Sequence, residues 1–148
     1  VRHVVHALHG RSGDVEDDGF DEIVTGAGPG AVFGPHVRGF NYDGGGVAPI
    51  AKISFYAYGT LKYGVNAIGG GIDADPYVEL LTGPGPGAMF GPQVRGFNYD
   101  AATVTAIAKV NFSAFGTPQF GVNVAAGDVE SDSFEEKLQR KGSLSGAR

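Results

Sequence analysis

Six carboxylates fall within nine residues near the start of the chain: Asp14, Glu16, Asp17, Asp18, Asp21 and Glu22. The order Asp14-x-Glu16-x-Asp18-Gly19 follows the opening of a calcium loop, D-x-[DN]-x-[DN]-G. Calcium takes six to eight hard oxygens at about 2.3–2.6 Å, and alternate carboxylates on a tight turn converge on one such ion. The expected donors are the side chains of Asp14, Glu16 and Asp18, the carbonyl of Phe20 and the side chain of Glu22, with Gly19 permitting the bend. Asp17 and Asp21 fall on the outward side. The same register returns twice. A late loop offers Asp128, Glu130, Asp132, the Phe134 carbonyl and Glu136, with Ser133 in place of the glycine. A middle loop is degraded: Gly71 replaces the first ligand and Pro76 the glycine, leaving Asp73, Asp75 and Glu79. The expectation is Ca2+, strongest in the first loop, stapling a turn and neutralising crowded carboxylates.

Other chemistry is sparse. His3, His6 and His9 are spaced by three, but they read as part of an exposed arm rather than a metal site. No serine–histidine–acid set or pair of catalytic acids stands apart from the acidic loops. The segment Gly26-Ala27-Gly28-Pro29-Gly30 follows a strand as phosphate loops do, yet no GxxxxGK[ST] motif accompanies it. Arg38 and Arg95 recur at equivalent places and read as a repeated salt bridge. Lys52 and Lys109 read as solvent-facing. His36 is matched by Gln93, which argues against imidazole chemistry there. Residues that recur in a repeat read as architecture, so the chain reads as non-enzymatic.

The loops recur because the whole chain does. A shift of 57 positions lays Thr25–Asp43 on Thr82–Asp100 and Ile50–Asn66 on Ile107–Asn123, with about 30 of 57 positions identical. Two complete units and part of a third result. The divisions are an arm at 1–12, a first unit at 13–69, a second at 70–126, a partial third at 127–136 and a polar tail at 137–148. No stretch of the unit holds a 3.6-residue apolar period, and glycine is everywhere, at 26 residues, so helices are excluded as the repeating element.

Each unit reads as four strands. The first is Gly64–Gly70 and, in the next copy, Gly121–Gly127. The second is the run Asp21–Gly28 and Val78–Gly85. The third is Pro35–Tyr42 and Pro92–Tyr99. The fourth is Val47–Gly59 and Thr103–Gly116, with Ile50, Lys52, Ser54 and Tyr56 on one side and Ala51, Ile53, Phe55 and Ala57 on the other. A repeat of this length built from strands predicts an all-β chain of β-propeller blades, each a four-stranded antiparallel sheet.

Composition sets the outer limits. The net charge of −5 gives no electrostatic footprint for nucleic acid. The absence of cysteine excludes disulfides, thiol catalysis and cysteine metal sites. No apolar run approaches the roughly 18 residues of a membrane-spanning helix, so membrane insertion is not expected.

The run from Asp14 to Glu22, then Ile23-Val24, Gly26–Gly30 and Phe33-Gly34-Pro35, resembles the FG-GAP repeat. That repeat is the blade unit of integrin α-subunit propellers and of many large bacterial extracellular proteins. The resemblance covers about four-fifths of the chain. It implies a propeller, calcium in the inter-strand loops, and a scaffold or adhesion role outside the cytoplasm. Two features depart from the pattern: Glu16 and Glu130 stand where Asp or Asn is usual, and the chain holds about two blades where such propellers use six or seven.

Two blades cannot close a ring, and an open pair exposes strand edges. Self-assembly answers this, with a trimer or tetramer making a ring, or strand donation without closure making a filament. The strand Val122–Ala126 is well kept where its counterpart Leu8–Ser12 is broken, so a late strand is expected to complete a neighbour's first blade. Two alternatives stand beside this. One is a carbohydrate-binding propeller with Tyr42, Tyr58, Tyr99 and Phe115 as contacts, which leaves a glycan or protein ligand open. The other is a portion of a longer propeller.

Overall fold

The computed structural model describes residues 14–16, 19–59, 62–73, 75 and 77–126. Among them there are seven β-strands and no helix: β1 (Ile23–Gly26), β2 (His36–Tyr42), β3 (Val47–Tyr56), β4 (Val65–Gly70), β5 (Glu79–Pro84), β6 (Gln93–Tyr99) and β7 (Val104–Ser113). They form two antiparallel sheets, a three-stranded one in the order β1-β2-β3 and a four-stranded one in the order β4-β5-β6-β7. The expected arm at 1–12, the partial third repeat at 127–136 and the tail at 137–148 lie outside the described residues, as does the broken strand Leu8–Ser12.

Both sheets share one irregularity. On β2 and β3, Arg38 pairs with Ser54 but Gly39 pairs with Ile50; on β6 and β7, Arg95 pairs with Asn111 but Gly96 with Ile107. The extra residues bulge outward. They fold Ile53 over Gly39 and Val110 over Gly96, so closely that a Cβ on Gly39 would lie 2.9 Å from the Ile53 Cβ. The bulge corrects the alternation expected along the fourth strand. Ile50 and Ile53 are both buried although they fall on opposite sides of a regular strand, while Ala51, Lys52, Ser54 and Tyr56 are exposed.

The β2–β3 and β6–β7 hairpins are closed alike. The Asp43 carboxylate accepts the N–H groups of Gly45 and Gly46 at 2.8 and 2.9 Å, and Asp100 accepts those of Ala102 and Thr103 at 2.9 and 2.7 Å. Such side-chain turns are what aspartate supplies. These backbone bonds hold both carboxyls below the ordinary carboxylate value.

The core lies between the sheets. Ile50, Ile53, Ala57 and Tyr58 from the first meet Leu80, Phe97 and Tyr99 from the second, and Phe55 stands 4.7 Å from Phe97, ring centre to ring centre. Each fully buried aliphatic or aromatic side chain here stabilises the fold by about 1.5–3 kcal/mol. Tyr58 crosses the seam. Its hydroxyl donates to the Gln93 carbonyl at 2.7 Å and lies 3.0 Å from the Thr82 carbonyl. Pro84 explains the vacancy at Gln93, because proline has no N–H to offer its neighbour across the sheet. At the matching place in the first sheet, Ala27 has that N–H and gives it to the His36 carbonyl at 3.0 Å.

The two sheets meet through β1 and β4 as well. The Val65 N–H donates to Ala27 at 2.9 Å, Gly64 to Phe33 at 3.0 Å and Tyr63 to Gly30 at 2.7 Å. Gly26 is required at this approach, since a Cβ there would run into the Val65 carbonyl. The relation repeats one unit later. Val122 donates to Pro84 at 3.0 Å, Gly121 to Phe90 at 3.0 Å and Phe120 to Gly87 at 2.8 Å, and a Cβ on Gly83 would strike the Val122 carbonyl. Residues 121–126 are not in a ladder, which corrects the strand expected there as part of Gly121–Gly127. They have a sheet beneath them, but among the described residues no strand lies beside them to pair with.

Candidate metal centre

Among the described residues, the acids that converge are those of the middle loop, which keeps the fewest motif residues. One carboxylate oxygen from each of Asp73, Asp75 and Glu79 lies within 4.8 Å of the other two, the one such group among the described residues. This triad could hold a metal ion. Two ligands on opposite sides of one calcium are about 5 Å apart, twice a 2.3–2.6 Å bond, so the spacing fits a single coordination sphere.

Local chain geometry sets the triad. Asp75 N–H donates to Asp73 Oδ1 at 3.0 Å and Tyr77 N–H to Asp75 Oδ1 at 2.9 Å, two successive aspartate turns. Asp73 and Asp75 are exposed, whereas Glu79, the first residue of β5, is fully buried. Glu79 Oε2 accepts the Ile72 N–H at 2.7 Å, and Oε1 is buried with no hydrogen-bond partner. A buried, orphaned carboxylate oxygen is costly unless a cation or proton meets it. Burial first, and then the charges of Asp73 and Asp75, push the Glu79 carboxyl above the ordinary glutamate value.

The first loop is organised differently. Asp14 is buried, and its Oδ2 accepts the Gly19 N–H at 3.1 Å, where Gly19 has a φ of 95°. Glu22, also buried, accepts the N–H groups of Val15 and Glu16 on its Oε2. Glu16 does not join them. Its Oε2 takes the Asn41 Nδ2 at 2.9 Å and its Oε1 the Tyr99 hydroxyl at 3.4 Å, so this expected ligand ties the loop to both sheets. Phe20 is half exposed beside the turn. Asp18 lies outside the described residues, as do Asp128, Glu130, Asp132, Phe134 and Glu136 of the late loop.

The remaining sequence candidates sort by burial and partners. Among the described residues Arg95 does not form the expected salt bridge: its Nη1 donates to the Ala57 carbonyl at 2.5 Å, and its guanidinium lies over the rings of Phe97 and Tyr58 at 5.1 and 5.9 Å. Arg38 lies over Phe40 at 4.9 Å. A guanidinium in this position stacks on an aromatic face and offers a donor to backbone instead of a carboxylate. His36 stacks on Tyr56 and bonds Ser54 at 3.0 Å, and Gln93 bonds Asn111 at 2.7 Å in the matching place. Lys52 and Lys109 are exposed. Of the four aromatics considered for a glycan, Tyr58 and Tyr99 are core residues, while Tyr42 and Phe115 are exposed.

Sequence reasoning missed the second use of Glu16, its bonds to Asn41 and Tyr99. The signal that marks the converging loop is one of position: Glu79 opens a strand buried along its whole length, whereas Glu22 precedes a half-exposed one.

No family model matches the chain. Neither does any curated protein or solved structure compared with it. Among the described residues, no helix is long and apolar enough to cross a membrane.

Proposed function

We propose that the chain is a non-enzymatic, calcium-stabilised β-propeller module of FG-GAP type. It self-associates and serves as a scaffold or adhesion element outside the cytoplasm. The observation that carries this reading is the recurrence of one packing relation. Residues 120–122 meet the second sheet through the same backbone bonds by which residues 63–65 meet the first. A constant step from sheet to sheet is what blades around an axis require. Two sheets do not complete a turn about such an axis; other copies in a trimer or tetramer ring or a filament would supply the rest, and a portion of a longer propeller is the alternative.

Calcium suits the triad better than magnesium. Calcium accepts flexible sets of carboxylate oxygens at about 2.3–2.6 Å, whereas magnesium demands near-ideal octahedral geometry and keeps several of its waters. The ion would meet Glu79 Oε1 and screen Asp73 and Asp75 from each other.

Native mass measured in calcium and again with a chelator tests the proposal. The expected result is a discrete three- or four-fold species, or a large heterogeneous one for a filament, that weakens on chelation. A monomer in both conditions would overturn self-association.

A further inference from the structure

The two repeats bury different halves of the same residue set. At the seam between the sheets, Ile50, Ile53, Ala57 and Tyr58 are buried, but their counterparts Ile107, Val110, Ala114 and Phe115 are half-buried or exposed, Phe115 at 65 %. On the facing side Leu80, Thr82, Phe97 and Tyr99 are buried, but their counterparts Ile23, Thr25 and Tyr42 are exposed, Ile23 at 45 % and Tyr42 at 43 %, and Phe40 is half-buried. The molecule therefore presents each half of its own internal interface on one of two outward faces.

The open halves keep the groups that make the internal contact. Phe55 packs on Phe97, and the counterparts Phe112 and Phe40 are both in place. Arg95 donates to the Ala57 carbonyl, and the counterparts are Arg38 and Ala114. Tyr58 lies 5.6 Å from Phe90, and the counterparts Phe115 and Phe33 are exposed. The one hydroxyl that is missing is missing where it is not needed. Tyr58 serves the Gln93 carbonyl, which Pro84 leaves without an N–H. The counterpart carbonyl, His36, already receives the Ala27 N–H, and the residue that would face it is Phe115.

We propose that the exposed face of β7 in one copy packs on the exposed face of β1 and β2 in a second copy, reproducing the seam between the two sheets of a single chain. The proposal rests on the self-associating reading and specifies its contact. Two different patches meet, so the contact runs head to tail. It also brings Asp73 of one copy to Tyr42 of the next, as counterparts of Glu16 and Tyr99, so the acidic triad lies at the junction.

The test uses two variants of the full chain, Phe115→Asp on one face and Ile23→Asp on the other, with folding checked by circular dichroism. Tyr42→Asp replaces Ile23→Asp if the latter unfolds. A carboxylate in either patch would be buried unpaired, weakening self-association at least about a hundredfold. Each variant alone is expected to be monomeric. Each also keeps the patch the other has lost, so an equimolar mixture is expected to give a one-to-one dimer and nothing larger. Variants that assemble like the parent overturn this interface and leave the self-associating reading standing. Monomeric variants whose mixture does not pair overturn the head-to-tail arrangement. A parent chain that is itself monomeric overturns both.

Discussion

Glu22 and Glu79 hold the same place in successive loops, and each turns one carboxylate oxygen back on the loop it closes. Glu22 accepts the Val15 N–H, and Glu79 accepts the Ile72 N–H one repeat later. A glutamate at this point is therefore first a clasp between the loop and the strand that follows. What the second loop adds is company: the buried Oε1 of Glu79 lies beside Asp73 and Asp75. Clasp and cation site are two uses of one side chain.

Glu79→Gln keeps the clasp oxygen and removes the charge. Calcium affinity, measured by titration calorimetry, is expected to fall at least about tenfold, the loss of one charged ligand costing more than 1.4 kcal/mol. The calcium-induced rise in melting temperature should vanish with it. An unchanged affinity would place the ion elsewhere.

The same carboxyl sets a pH dependence. Burial raises its pKa in the folded state above the ordinary glutamate value of 4.5. Its protonated form is thus the one the fold favours, and the associated stability is present below that value and lost as pH rises through the raised folded pKa. Melting temperatures of the calcium-free protein are expected to show this loss. Glu79→Gln should flatten that part of the profile, and added calcium should oppose it, since the ion selects the carboxylate.

Glu16→Ala separates structure from metal binding. It removes the acceptor shared by Asn41 and Tyr99, and should cost about 1–3 kcal/mol in chemical denaturation. Affinity at Asp73, Asp75 and Glu79 should stay within about twofold, because Glu16 bonds Asn41 and Tyr99 and makes no bond to that triad. A parallel loss of calcium affinity would join the two loops in one unit.

Tyr58→Phe leaves the half-buried Gln93 carbonyl without its hydroxyl donor and is expected to cost about 1–3 kcal/mol. Burial, the leading cause, pushes the Tyr58 hydroxyl up to about 12 from 10.0. Stability tied to its neutral form is present below the unfolded value and is lost as pH climbs from about 10 towards 12. The parent should weaken over that window more steeply than the variant, which a series of alkaline melts can read.

Gly39→Ala places a Cβ against Ile53 at the bulge and is expected to destabilise by about 1–3 kcal/mol. Ile53→Ala should cost about 2–5 kcal/mol by itself. Combined, the two should cost less than their sum, since the second makes room for the first. Strict additivity in a double-mutant cycle would remove the steric account of that glycine.

The sequence by itself determined the repeat, its length, the all-strand character and most strand positions, because period-two patterning and turn residues act locally. It also determined that acidic loops precede β1 and β5. Other features were decided only in three dimensions. The bulge that buries both Ile50 and Ile53 depends on pairing with Gly39. The partner of Arg95 is a carbonyl on the other sheet. Above all, the two loops have similar acids but different surroundings. Glu16 is drawn away by Asn41 and Tyr99, while Glu79 is pressed into the core beside two aspartates. A motif fixes which oxygens are available. Burial and competing hydrogen bonds, which arise only when distant segments pack, fix where those oxygens point.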